Sequence, residues 1–368
     1  MSWFEITDID HIDTPVLVVF PDRVKHNIRT AIKMVGHPDR LRPHVKTNKS
    51  PQAMQLMIDA GINHFKCATI AEAEVLGMLK AKDVLLAYQV LGPKLNRFID
   101  LIRNYPETTF SCLCDNEEAA KEQAGMFTAA GITVPVYIDL NIGMNRTGIV
   151  PGPEAKKLYE FLSVSSGIDA AGFHAYDGHM RHPDIKERKK LCDAGFKAVT
   201  DLKEALEADG YSVPNVIAGG SPSFPVHATR PDVQCSPGTF IYWDKGYSDI
   251  CPEQDLLPAA VLVTRVISLP SADRICTDLG HKSVAAENEI GKRVSFLNAE
   301  GLKPVGQSEE HLVLEVAPGH SYKTGDIFYA LPYHVCPTVA LYERVITIEE
   351  GYSSGQWFNA ARDRMINY

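Results

Sequence analysis

The sequence predicts an α/β protein: a (β/α)8 TIM barrel followed by a C-terminal β domain. Two observations carry this. From about residue 41 to 240, short β-rich runs alternate with longer helical patterns, and after about residue 250 Val-rich runs follow one another without helices between them. Length is the third: 368 residues with 45% apolar content suffice for a large core plus a second module.

The candidate barrel strands are LRPHVK (41–46), HFKCAT (64–69), DVLLAY (83–88), TFSCLC (109–114), VPVYIDL (134–140), IDAAGFHAY (168–176), NVIAGG (215–220) and DVQCSPG (232–238). Eight such runs are the number that closes a parallel barrel. Between them, SPQAMQLMIDAG and TIAEAEVLGMLKA carry small and apolar residues at helical spacing, and the ion-paired stretch from Pro183 to Gly210 reads as a longer helix. After residue 250, PAAVLVTRVISLP, RICTDLGHKSV, HLVLEVA, DIFYALPYHVCPTVALY and RVITIEEG read as strands of a separate β domain. The opening run DTPVLVVF (13–20) is surplus to the barrel; it either precedes it or pairs with the C-terminal domain. The expected division is therefore residues 1–20, a barrel over 21–250 and a β domain over 251–368.

The formal charge of −9 comes from scattered acidic residues, with no basic arm to follow a phosphate backbone, so nucleic acid is not an expected partner. No apolar run reaches the length of a membrane span, and the acidic start lacks the pattern of a signal peptide. A soluble, cytoplasmic protein is expected. The eight cysteines show no framework spacing, and reduced core thiols are expected of them.

Barrel active sites form at the C-terminal ends of the strands. Lys46 ends the first run, Arg146 lies in the LNIGMNRTG turn after the fifth, and His174, Tyr176, Asp177 and His179 end the sixth. Gly219, Gly220 and Ser221 end the seventh, and Gly238 and Thr239 the eighth, where barrels commonly hold a phosphate. A lysine opposite a phosphate pocket, crowded by Arg146, suits an amine nucleophile and suggests pyridoxal phosphate. The bland alternatives are a solvated loop lysine, an ordinary Gly-Gly-Ser turn and a loop-anchoring arginine. In PYHVCPT, His334 and Cys336 are two apart. On a strand they project from one face, which suits a divalent metal such as zinc; the alternative is a pair of core residues.

Eight ordered stretches, RPHVKTNKS, LNIGMNRTGI, FHAYDGH, IAGGSPSFP, SPGTFIYWDKGY, DLGHKSVAAE, SEEHLVLE and PYHVCPTVALY, closely resemble the D-threonine aldolase and D-serine dehydratase family over essentially the whole chain. The resemblance implies an alanine-racemase-type barrel binding pyridoxal 5'-phosphate, with a C-terminal β domain. It further implies that Lys46 carries the cofactor covalently and that Arg146 contacts the ring's phenolic oxygen. Tyr176 would stand near the ring, Gly219, Gly220, Ser221, Gly238 and Thr239 around the phosphate, and His334 and Cys336 would hold a divalent metal: zinc, manganese or magnesium. The family's usual Lys-Thr-His-Lys is Lys-Thr-Asn-Lys here, so Asn48 removes any acid–base role of that histidine. The implied activity is a lyase acting on D-3-hydroxy amino acids, retro-aldol cleavage foremost and dehydration second. An amino acid racemase and a non-catalytic cofactor carrier are the remaining readings, and a homodimer is the implied assembly.

Overall fold

A computed structural model describes residues 2–367. The chain forms two compact units: one of Thr30–Lys46, Met54–Gly238 and the residues from Asp363 onward, the other of the residues up to Arg29, Thr47–Ala53 and Thr239–Arg362. The chain thus changes units more often than a division at 20/21 and 250/251 would have it. Local bonds show why: Ala361 N–H donates to the Lys49 carbonyl and Val335 N–H to the Asp244 carboxylate, tying both short segments to the second unit.

The first strand, β1 (Val16–Val19), belongs to the second unit. The barrel unit is a parallel sheet in chain order: β2 (His64–Cys67), β3 (Asp83–Gln89), β4 (Thr109–Cys114), β5 (Val134–Leu140), β6 (Ile168–Ala175), β7 (Asn215–Ala218) and β8 (Val233–Cys235). The eighth candidate, 41–46, is not a strand; it makes only the isolated parallel bridges Leu41 to Cys235 and His44 to Lys66. Pro43 has no N–H to give a ladder, so the segment closes the ring with fewer bonds: Arg42 N–H to Cys235, His44 N–H to Pro237 and Val45 N–H to Lys66. Helices begin where side chains cap them after the strands. Thr69 accepts from Glu72 N–H at the helix Ile70–Met78, and Asp184 accepts from Lys186 and Glu187 N–H at the helix Ile185–Ala208.

Inside the barrel, Leu85, Leu113, Tyr137, Ala171 and Ile217 form one buried layer. Near its closing seam, Arg42 is only 1% exposed. Its guanidinium forks onto Asp83 at the start of β3 (2.5 and 2.9 Å), and its Nε donates to Gln234 of β8 at 2.8 Å.

The second unit is a nine-stranded, mostly antiparallel sheet. Its remaining strands are β9 (Ala260–Ser271), β10 (Arg274–Thr277), β11 (Val294–Phe296), β12 (Lys303–Gln307), β13 (Leu312–Glu315), β14 (Ile327–Pro332), β15 (Arg344–Glu349) and β16 (Tyr352–Phe358). They run in the order β12-β13-β10-β9-β1-β15-β16, with β14 pairing both β9 and β11. β1 lies antiparallel to β9 and parallel to β15. Its core includes Phe4, Ile6, Val18, Val261, Val263, Tyr329 and Ile348. Against expectation, this unit contains a helix, Val335–Leu341, directly after β14.

Removing one partner of a buried, forked ion pair leaves an uncompensated charge. Asp83→Asn is therefore expected to destabilise the protein by about 3 kcal/mol, read as a lower urea midpoint with an unchanged slope.

Candidate active site

The turn after the closing segment aims Lys46. His44 Nδ1 accepts the Lys46 backbone N–H at 3.3 Å, and the Lys46 side chain lines a cavity at the barrel mouth with His44, Lys66, Asp139, Arg146 and Tyr176. The loop of residues 141–149 carries Arg146. Asn141 Oδ1 accepts from the N–H groups of Gly143 and Asn145, Ile149 N–H returns to the Asp139 carbonyl, and Gly148 N–H reaches Asp115.

Three cations gather on one ring: Lys46 Nζ is 6.0 Å, Lys66 Nζ 5.5 Å and the Arg146 guanidinium carbon 5.0 Å from the centre of Tyr176. Tyr176 in turn lies against Gly220, where a Cβ would come within 3.0 Å of the ring. Ser221 accepts the Gly238 N–H at 3.4 Å through its hydroxyl. The structure thus brings together Lys46, Arg146, Tyr176, Gly219, Gly220, Ser221 and Gly238 within the barrel unit. The amides of Gly219 and Gly220 are spent inside the protein, on the Ala175 carbonyl and Ser223 Oγ. These glycines therefore shape the loop through backbone conformation rather than through N–H groups held open for a ligand. Thr239 begins the other unit, at the start of a short 3-10 helix.

Lys66, Asp139 and His174 form a relay beneath the cavity mouth. The Asp139 carboxylate accepts from His174 Nδ1–H at 2.7 Å, which leaves Nε2 to accept from Lys66 at 3.3 Å. Burial pushes Asp139 up, but the bonds and charge of His174, with Thr147 and Lys66, outweigh it and hold the carboxyl below its ordinary range. Burial, and then the charge of Lys66, lower the His174 pKa. Lys66 itself is lowered to about 7, first by burial and then by the charge of Lys46, with Asp139 and Asp177 opposing. Sequence reasoning missed Lys66 and Asp139. The signal was a lone lysine inside an apolar strand run, a residue type rarely buried without a purpose.

His334 and Cys336 are not on a strand. The chain turns out of β14 at Pro332, so His334 is the N-terminal cap of the helix Val335–Leu341 and Cys336 sits in its first turn. Their side chains still meet. His334 Nδ1 is held by Glu287 at 2.5 Å, while Cys336 Sγ lies 3.1 Å from Thr47 Oγ1 and 3.5 Å from Thr239 Oγ1. Burial disfavours the His334 cation, yet the Cys336 side chain and Glu287 raise its pKa to about 9. An imidazole and a sulfur side by side, the imidazole steadied by a carboxylate, is a donor set that fits a divalent metal. Glu287 was not legible in the sequence as part of this group.

A second donor group suggests a metal site among the described residues: Asp177, Cys192 and His227 place one ligand atom each within 4.8 Å of one another, all buried. The two remaining loop histidines serve locally. His182 Nδ1 accepts the Asp184 N–H, and His179 packs where Gly143 leaves room for it.

The Lys66 reading has a consequence for stability. Folded Lys66 loses its proton near pH 7, whereas in the unfolded chain it holds it to about 10.4, so the unfolded state binds more protons between these values and stability rises with pH there. Lys66→Met removes that penalty. Its gain in melting temperature over wild type is expected to be largest below pH 7 and to shrink steadily towards pH 10 in a thermal-melt series.

Comparison with known proteins places these features. Residues 19–245 match the family described as "Alanine racemase, N-terminal domain", and residues 259–348 match the "Putative serine dehydratase domain". A D-threonine aldolase of an Arthrobacter species is 25% identical over 358 residues, covering 95% of this chain and 93% of that protein. A 3-hydroxy-D-aspartate aldolase of Paracoccus denitrificans is 24% identical over 372 residues, 97% and 94% of the two chains. Among solved structures, the D-threonine aldolase of Filomicrobium marinum superposes with a TM-score of 0.87 at 25% identity, over 95% of each chain. The first family match spans more than half of the chain, and the chain accordingly belongs to the alanine racemase-like family of pyridoxal-phosphate enzymes, in its D-threonine aldolase and D-serine dehydratase branch.

Proposed function

We propose that this protein is a pyridoxal-phosphate-dependent, metal-assisted lyase of D-3-hydroxy amino acids, cleaving D-threonine to glycine and acetaldehyde. The observation that carries this reading is the cavity of Lys46, Lys66 and Arg146 around Tyr176, whose ring packs against Gly220. Its residues fit the cofactor. Lys46 supplies the amine that holds it, Arg146 a fixed cation for its phenolic oxygen, Tyr176 a flat surface, and Gly219, Gly220, Ser221, Gly238 and Thr239 the surroundings of its phosphate. When bound, the cofactor supplies an electron sink for charge at the substrate's Cα. The divalent metal assigned to His334 and Cys336 supplies Lewis acidity for the β-hydroxyl.

The chain's own groups do the rest. The Lys66–His174–Asp139 relay sets a titratable amine beside Lys46, so that a proton can be held or released at Lys66 Nζ without solvent reaching the barrel core. Arg146 and Tyr176 keep the mouth cationic and flat, which orients an anionic planar ligand. Dehydration of the same substrates is the second reading, supported by the dehydratase domain match. A homodimer is part of the proposal; light scattering showing a fully active monomer would remove it.

The test is product analysis with pyridoxal phosphate, a divalent metal and D-threonine. Glycine and acetaldehyde, abolished by a chelator and absent in Lys46→Ala, are expected; 2-oxobutyrate and ammonia would transfer the protein to the dehydratases. Chelator-insensitive racemisation would refute the lyase reading. Because Glu287 steadies His334, Glu287→Gln is expected to weaken metal affinity by about 10- to 100-fold, read by competition with a chromogenic chelator.

A further inference from the structure

The buried group Asp177, Cys192 and His227 lies outside the cavity lining, and two of its members, Asp177 and His227, reach the loop of Gly219 and Gly220. Asp177 is 1% exposed and His227 fully buried. Asp177 Oδ2 bonds His227 Nε2 at 2.7 Å, and Oδ1 accepts from Ser223 Oγ–H at 2.5 Å. Arg230 donates to His227 Nδ1 at 2.7 Å, so Nε2 carries the proton and donates to Asp177. Burial first, and then the charge of Asp177 and a hydrogen bond to it, push the Cys192 thiol up and keep it protonated. Arg230 is itself anchored on Asp193 at 2.5 Å, and Phe196 packs edge-on against the His227 ring.

The same Ser223 hydroxyl that donates to Asp177 accepts the Gly220 N–H at 3.0 Å. Gly219, with φ of +85°, rests on His227: a Cβ there would lie 2.8 Å from His227 Cδ2 and 3.1 Å from Ser223 Oγ. Tyr176, next to Asp177 in the chain, packs on Gly220 from the cavity side. The loop is therefore gripped from beneath by one carboxylate and from above by one ring.

We propose that Asp177 is a positioning residue for the cofactor's phosphate: acting through Ser223 and His227, it fixes the Gly219–Gly220–Ser221 loop, and the cluster is a strut rather than a metal site. His227 has no lone pair to offer a metal, since Nδ1 accepts from Arg230 and Nε2 carries the proton given to Asp177, and each Asp177 oxygen already accepts a bond within the cluster. The inference rests on the pyridoxal-phosphate reading above.

The experiment compares Asp177→Asn and the milder Ser223→Ala with wild type. Dissociation constants are measured by absorbance for pyridoxal phosphate and for pyridoxal, which lacks the phosphate, and bound metal is counted in parallel. Loss of a hydrogen bond to a buried carboxylate should weaken pyridoxal phosphate by about 10- to 100-fold and leave pyridoxal and the metal count unchanged. An equal loss for both compounds, or none in either variant, overturns the inference. So does metal that is lost from Asp177→Asn but kept in Cys336→Ala. If wild type binds neither compound, the cofactor reading falls as well; wild-type binding with unaltered variants overturns the strut alone.

Discussion

The Arg42–Asp83 pair at the seam is the interaction on which the barrel site depends. A parallel barrel must present its first and last strands to one another, and here the first is a proline-interrupted segment with too few ladder bonds to hold itself. Arg42 makes up the difference by reaching from that segment to β3 and β8 together. Four residues later the same segment delivers Lys46 to the cavity. The position of the reactive amine is thus set by a buried guanidinium rather than by regular sheet pairing, and an ordered fork is less tolerant of exchange than a ladder.

Above that seam the barrel interior changes character from an apolar layer to a charged one. Leu85, Leu113, Tyr137, Ala171 and Ile217 give way to Lys66, Asp139, His174 and Arg146. Among the described residues of the lining Asp139 is the carboxylate, hydrogen-bonded to His174, and with Asp177 it only partly offsets the cations. The cavity therefore keeps an excess of positive charge in low dielectric, a setting in which an anionic ligand is worth more than it would be in water.

Much of this was legible in the sequence and some was not, for reasons that differ by residue. The barrel strands read correctly where β-rich runs were continuous, as in β4 and β5, whose bounds match residue for residue. The 41–46 run read as a strand in spite of Pro43, which in the sequence already argues against a regular ladder; the long-range bonds that replace the ladder are visible only in three dimensions. VCPTVAL looked like strand because Val and Thr favour it, yet the fold bends it into a helix after Pro332, a case of tertiary context overriding propensity. Lys46, Arg146 and Tyr176, which line one cavity, were singled out by their placement at strand ends and by resemblance. Lys66 hid one layer deeper, inside a run that pattern reading assigned wholly to structure, and Asp177 was visible as a strand-end residue but not as the hub of a cluster.

The order in which the chain is made gives β1 a further meaning. It sits in the middle of its sheet, with Leu17, Val18 and Val19 fully buried, yet both of its neighbours, β9 and β15, are encoded beyond the entire barrel. During synthesis this apolar strand leaves the ribosome ahead of the whole barrel and has to wait, unpaired, until the segments of β9 and β15 have emerged after it. The barrel can mature on its own schedule; the sheet cannot. Nascent chains of this protein accordingly pass through a long interval with an apolar strand unpaired, the kind of exposed edge that favours aggregation until the sheet is complete.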